Sequence, residues 1–440
     1  MLWKRIQLGL IHVAVSMTLV PINSTLNRIM IKELAISATL VALLVSLPYV
    51  ISPIQVAIGS YADNHPIAGR RRTPYILLGL WMCVAGALLA PYAAFQLADL
   101  SASGILLAIL AFGLWGMGYN FSAVSYLSLA SEIDEKRSRT IAIMFLLMTL
   151  GIIFTAYFVG RIVDPYSPQA LYKAFWVAGG TALVFGMVGL IKLEPRFDVE
   201  SSRTDEHHSW GEMLGAVLSN PQARIFFWYL LLLLAALLGQ DVLLEPFAGE
   251  AFGMSPAVTT RITSIWGTAT LVTLLLANWL QRRSSKRTVA VVGNWGALIA
   301  FALIGVSGLM HSTSAFYSGV VLLGLGTGLS TVSNLSLMLD MTTPQNVGLF
   351  IGAWGVANAL SRLTGQVIGG AVRDMITLVA DSALLGYVVV FFLEAAFLGA
   401  ALALLGVIDV AAFRRQAGAD EPGPASMVDA AALLGEAQGG

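Results

Sequence analysis

The chain is poor in cysteine and in charge. Cys83 is the one cysteine among 440 residues, so no disulfide can form within the chain and thiol chemistry has no internal partner. Charged side chains make up 11% of residues, against roughly a quarter in an ordinary soluble domain. The patterns that carry catalysis are missing too: no Walker-type nucleotide loop, no HExxH, no clustered Cys and His, no Ser-His-Asp set. The sequence therefore argues against an enzyme, an ATP-driven pump, and a tightly bound cofactor or metal. A net charge of zero without a basic stripe offers nothing to nucleic acid.

What fills the chain is hydrophobic, 57% of residues, with a mean hydropathy of +0.79. A membrane span needs about 20 apolar residues. Twelve helices meet that need, near 6–30, 38–60, 74–95, 104–130, 140–162, 170–192, 223–244, 257–280, 288–310, 314–338, 346–372 and 383–409. The runs are continuous rather than alternating, which points to an all-α membrane protein and away from a β-barrel. Of the 25 Lys and Arg, all but Arg28, Lys32, Arg161, Lys173, Arg261, Arg362 and Arg373 fall on the side of the termini. That bias predicts that both termini are cytoplasmic. The first run, opened by Lys4 and Arg5, is longer than the apolar region of a signal peptide and reads as a retained span.

The middle of the chain returns on itself. Gly116, Gly118, Ser122, Ser125 and Ser128 recur as Gly324, Gly326, Ser330, Ser333 and Ser336, a constant offset of 208, and Glu132 falls on Asp340. Further on, Gly160-Arg161-Ile162-Val163-Asp164 recurs as Gly370-Ala371-Val372-Arg373-Asp374, offset by 210. Two pseudo-symmetric six-helix bundles are expected, 1–192 and 223–410, with any binding site between them. A charged, Ser-rich linker at 193–222 joins them, and in it Ser209 and Glu212 form a capping box that opens a short amphipathic helix. Residues 411–440, rich in Ala and Gly, are expected to form a flexible cytoplasmic tail.

The loop after the second span reads Gly59-Ser60-Tyr61-Ala62-Asp63 and then Gly69-Arg70-Arg71-Arg72-Thr73-Pro74. Gly59 permits close helix approach, Asp63 supplies a carboxylate at the membrane edge, and Arg70, Arg71 and Arg72 hold the loop in the cytoplasm. This stretch resembles the signature loop of the major facilitator superfamily, a likeness that extends to the twelve-helix layout. It implies a gate in which Asp63 pairs with the loop arginines and with the start of the eleventh helix. The counterpart at 281–288 keeps the basic run without an acidic residue, so the latch is expected on one side only. More narrowly, Ser24-Thr25-Leu26-Asn27-Arg28 resembles the PucC/LhaA-type bacteriochlorophyll-delivery branch of that superfamily. The likeness implies assistance to bacteriochlorophyll delivery and light-harvesting antenna assembly, in the cytoplasmic (inner or intracytoplasmic) membrane of a bacterium. Bacteriochlorophyll would be a transient cargo; the lipid bilayer, antenna polypeptides and pigment-synthesis enzymes would be partners. A secondary transporter of a small hydrophobic solute and a non-transporting assembly chaperone are the alternatives.

Polar residues inside spans mark the candidate site. His12, Ser16, Asn23 and Asn27 fall within about 60° of one another on a helix of 3.6 residues per turn, one polar face directed into the bundle. His12 is the one histidine inside a span; as a neutral imidazole it can ligate the magnesium of a pigment or bond to a neighbouring helix. Asn358, Arg362 and Gln366 repeat the device in the eleventh span, and Arg362 needs a partner such as Asp241 or Glu245. Asn120 and Asn334 are expected to line a cavity. Arg28 is expected to snorkel to head groups, and Glu394 to be protonated or to meet a partner protein. The glycines at 113, 116, 118, 324, 326 and 328 should let helices pack closely. Spans 1, 2, 4, 5, 8, 10 and 11 offer no mid-span acidic residue, which argues against proton coupling and for an apolar cargo.

Overall fold

A computed structural model describes residues 1–133, 137–195, 215, 217, 219–342 and 347–416, which are helical almost throughout. Among the described residues, twelve long helices or broken helices follow in order. The first half holds α1 (Leu2–Glu33), α2 (Ala38–Val45, Leu47–Val50 and Ile54–Asn64), α3 (Thr73–Leu97), α4 (Ala102–Ile133), α5 (Arg137–Ile162) and α6 (Pro168–Leu190). The second holds α7 (Pro221–Gly239, then Gln240–Val242 and Leu244–Phe252), α8 (Pro256–Arg283), α9 (Lys286–Leu309), α10 (Thr313–Asp340), α11 (Val347–Ala380) and α12 (Ala383–Val407). Among the described residues, ten of these helices are long and apolar enough to cross a membrane. The other two are α2, broken where Pro48 and Pro53 lack the N–H that continues a helix, and α11, which carries Asn358, Arg362, Gln366, Arg373 and Asp374. The capping box at Ser209 and the tail from 417 onward lie outside the described residues.

Packing repeats with the sequence. α1 lies against α5 and α6 as α7 lies against α11 and α12, and α3 pairs with α4 as α9 pairs with α10. The repeated glycines explain the tightest pairs. A Cβ at Gly118 would sit 2.4 Å from the Cys83 nitrogen and 2.5 Å from the Gly79 oxygen. One at Gly326 would sit 2.7 Å from the Ala297 nitrogen and 2.8 Å from the Gly293 oxygen. Gly113 differs: nothing lies within 4 Å of a Cβ there, so close packing is not the reason for that glycine.

α1 changes its winding partway. Pro21 cannot donate to the preceding turn, and Pro21–Leu26 and Ile29–Glu33 are π-helical. The single polar face drawn on 3.6-residue winding is interrupted there. Ser16 returns its hydroxyl to the Val13 carbonyl at 2.9 Å, while the residues beyond Pro21 are re-aimed at the other half.

Candidate functional site

The halves enclose a cavity of about 270 Å³. The first half contributes His12, Asn23 and Tyr49 to its wall, and the second contributes Asp241, Glu245 and Arg362. The second-half acids reach it because α7 tightens to a 3-10 turn at Gln240–Val242 and then resumes, setting Asp241 and Glu245 one turn apart. Arg362 meets Asp241 at 3.8 Å and, across the seam, the Tyr49 hydroxyl at 3.2 Å, with its guanidinium 5.1 Å from the centre of that ring. His12 makes no hydrogen bond: its Nδ1 is buried without a partner, and its ring packs 5.0 Å from Tyr126 and 5.2 Å from Phe145, centre to centre.

Other candidates are spent elsewhere. Asn27 donates to the Val242 carbonyl (2.7 Å), which the break in α7 exposes, and Gln366 accepts from Ser46 at 2.7 Å; both bonds join the halves. Asn358 is buried on α11 outside the wall of this cavity. Asn120 and Asn334 do not line it either. Asn120 donates to the Pro48 and Gly116 carbonyls and accepts from Gln55 at 2.5 Å. Asn334 donates to the Ser330 carbonyl and accepts from the Tyr229 hydroxyl. Both amides are consumed within their own halves, Asn120 by the backbone of α2 and the Gln55 side chain, Asn334 by its own helix and the Tyr229 hydroxyl.

At the face remote from the termini, the repeated Gly-x3-Asp segments close the seam. A Cβ at Gly370 would lie 2.8 Å from the Ala38 oxygen, and one at Gly160 2.9 Å from the Ala257 oxygen. One turn on, Asp374 accepts from the Ala38 and Thr39 backbone nitrogens (3.1 and 2.9 Å) and from the Thr39 hydroxyl (2.7 Å), the open N-terminus of α2. Its counterpart Asp164 pairs with Arg261 at 3.0 Å. Lys32 pairs with Glu250 across the same face. Arg28 does not snorkel; it is buried, bonded to Glu33 at 2.5 Å and to the Met254 carbonyl at 2.7 Å.

On the termini side, Asp63 and Glu132 both hold Arg72, at 2.6 and 2.9 Å. The counterpart loop is not without a latch: Lys286 grips Asp340 at 2.9 Å, the acid coming from α10 rather than the loop. Repetition of Glu132 as Asp340 was the sequence signal for it. Gly69 has φ +72°, a left-handed turn that suits glycine, and Arg70 closes that turn by backbone bonds to Ile67. Gly59 meets only Val124, at an ordinary 3.5 Å, so no close approach depends on it. The residues before α11, where Asp63 was expected to reach, include 343–346, outside the described set. No sequence signal marked Glu194. Its carboxylate accepts from the Arg71, Arg72 and Thr73 nitrogens at 2.8, 3.0 and 2.7 Å and caps α3. Glu194→Ala should cost about 2 kcal/mol, read as a lower midpoint of thermal unfolding in detergent.

A second space opens sideways. Between α1, α5 and α6 runs a groove of about 480 Å³ in which only Thr155 and Thr181 bring polar side chains to the wall. Leu10, Val13 and Met17 line it, so α1 separates this groove from the cavity that His12 and Asn23 face.

A family model described as PUCC protein matches residues 25–413. The chain belongs to the PUCC family. Protein PucC of Rhodovulum sulfidophilum is 31% identical over 85% of each chain. A Rhodobacter capsulatus protein named bacteriochlorophyll synthase 44.5 kDa chain is 30% identical over 92% of this chain and 96% of its own. In fold, the PUCC-family chain matches a mutant form of the nucleoside transporter NupG (TM-score 0.72, 16% identity, 92% of this chain and 99% of that one). It also matches an inward-facing, unoccupied bacterial homologue of the lysosomal transporter Spinster (TM-score 0.72, 14% identity, 96% and 98%). The fold is that of these transporters, two helical bundles in a multi-pass membrane protein.

Proposed function

We propose that this protein handles bacteriochlorophyll during assembly of light-harvesting complexes, as a carrier or assembly factor rather than an enzyme. The observation that carries the reading is His12, the one histidine in a span, whose imidazole lines the cavity with a buried, unpartnered Nδ1 between two aromatic rings. A neutral imidazole free of hydrogen bonds can serve as axial ligand to the magnesium of the pigment, and aromatic neighbours suit a flat macrocycle. The cavity holds only part of such a molecule. The names of the relatives, PucC and bacteriochlorophyll synthase chain, agree with this cargo. The Lys and Arg bias supports cytoplasmic termini in the cytoplasmic or intracytoplasmic membrane of a phototroph, with antenna polypeptides and pigment-synthesis enzymes as partners.

The contacts at the remote face close the cavity on that side, which is the side away from the cytoplasm if the termini are cytoplasmic. A second reading, a carrier of a small amphipathic solute, draws on the polar cavity floor of Asp241, Glu245 and Arg362. Complementing a deletion strain of a phototroph with wild type or His12→Phe separates the two. The pigment reading expects antenna absorption bands restored by wild type only, and pigment co-purifying with wild type only. Full bands and parental pigment retention in His12→Phe would remove axial ligation by this residue.

A further inference from the structure

Charges at the seam do not balance. Arg362 is matched by Asp241, Arg28 by Glu33, Lys32 by Glu250, Arg261 by Asp164 and Arg373 by Asp374. Three buried carboxyls lie outside these pairs among the described residues: Glu194 is taken up by three backbone N–H groups, and Glu245 and Glu394, each 4% exposed, are left over. Glu245 accepts from the Thr263 hydroxyl at 2.6 Å through Oε1, while its Oε2 is buried with no partner. Glu394 has neither oxygen bonded and lies with Oε1 beside Gly239, against the end of α7. An uncompensated carboxylate out of water costs several kcal/mol and is neutralised instead.

We propose that Glu245 is a proton-binding site of the inter-half cavity, with Glu394 a standing neutral acid behind it. Glu245 lines the cavity; Glu394 does not. The cavity wall also carries two acceptors without donors, Asn23 Oδ1 and the buried Gln240 Oε1. Ser24 Oγ and Trp266 Nε1 are unpartnered on the same wall, so Glu245 Oε2 stands among polar groups with bonds still to make. The charged groups around it are accounted for from each packed element. Asp241 and Glu250 lie on its own helix, Arg28 and Lys32 come from the end of α1, His12 lines the same cavity from α1, Arg362 comes from α11 and Glu394 from α12; His311, after α9, touches the Ala251 carbonyl. No set of three His, Cys, Asp or Glu among the described residues is arranged to hold a metal ion. Because Asn23 belongs to the first half and Glu245 and Thr263 to the second, gaining or losing this proton changes the charge at the seam itself. The seven spans without a mid-span acid did not include α7 or α12, the two that carry these carboxyls.

Infrared difference spectra of the full chain in lipid nanodiscs, taken across a pH series, test this without any pigment, so the outcome is independent of the cargo reading. The wild type should show a protonated-carboxyl C=O band with one part that disappears as pH rises and one that persists. Glu245→Gln should abolish the titrating part and Glu394→Gln the persistent part. Thr263→Val, which strips the hydroxyl that favours the ionised form, should let the titrating band survive into more alkaline buffer, and it serves if Glu245→Gln fails to fold. A titrating band unchanged in Glu245→Gln, or unmoved in Thr263→Val, overturns the assignment. So does a wild type with no protonated band whose unfolding temperature rises with NaCl but not KCl, which would make the ligand a metal cation.

Discussion

Asp374→Ala should unlock the face remote from the termini. The carboxylate takes two backbone N–H groups and one hydroxyl from the start of α2 and is steadied by Arg373 at 3.0 Å. Bonds to a charged acceptor contribute about 1.5–3 kcal/mol each when their loss strands buried donors. Water reaching the opened seam offsets part of that, leaving about 3 kcal/mol, or about a hundredfold in the balance of closed and open forms. In an Ala42→Cys background, where the position is fully buried on the first segment of α2, which packs on α11, reaction with a membrane-impermeant maleimide should accelerate by that factor. Cys83 is buried and stays silent. Asp164→Ala should do far less, about 0–1 kcal/mol, because Asp164 is 54% exposed and its pair with Arg261 is solvated. Equal rates with and without Asp374 would mean that the seam is held by other contacts.

Gly118→Val should abolish folded protein, while Gly113→Val should leave it intact. Both glycines lie on α4 and both were expected to serve packing. At Gly118 the added Cβ meets backbone atoms of α3 at 2.4–2.5 Å, and backbone cannot swing aside as a side-chain end can. Overpacking where a rotamer can adjust costs about 1–3 kcal/mol; separating two helices along their contact should exceed about 4 kcal/mol. At Gly113 the space is empty, and the change should stay within about 0.5 kcal/mol. Monodispersity on size-exclusion chromatography and helical circular dichroism distinguish the two.

The architecture was legible because the hydrocarbon of a bilayer leaves few options: apolar runs of the right length, doubled at a fixed offset, specify two bundles almost by themselves. The repeat also named its own closing device before its role was visible, since Gly160 to Asp164 and Gly370 to Asp374 occupy equivalent places at the seam. Individual polar residues were harder. Asn120 and Asn23 look alike in sequence, yet one is consumed by a carbonyl and a side-chain amide of a neighbouring helix and the other faces open space. The difference lies in interhelical distance, which a single helix cannot encode. The π-turns after Pro21 defeated a face drawn on regular winding. Glu194 caps a helix that begins more than a hundred residues earlier, beyond the reach of any local pattern.

The sideways groove has a practical consequence. With only Thr155 and Thr181 polar on its walls, acyl chains fill it whenever nothing better does. Occupancy is then decided by mole fraction within the bilayer, not by concentration in water. Surfactant floods that contest, so a guest seated there would be rinsed away during extraction while its affinity in native lipid went unmeasured. Polymer-excised patches of membrane, carrying their own lipids, are the medium in which such a guest would survive.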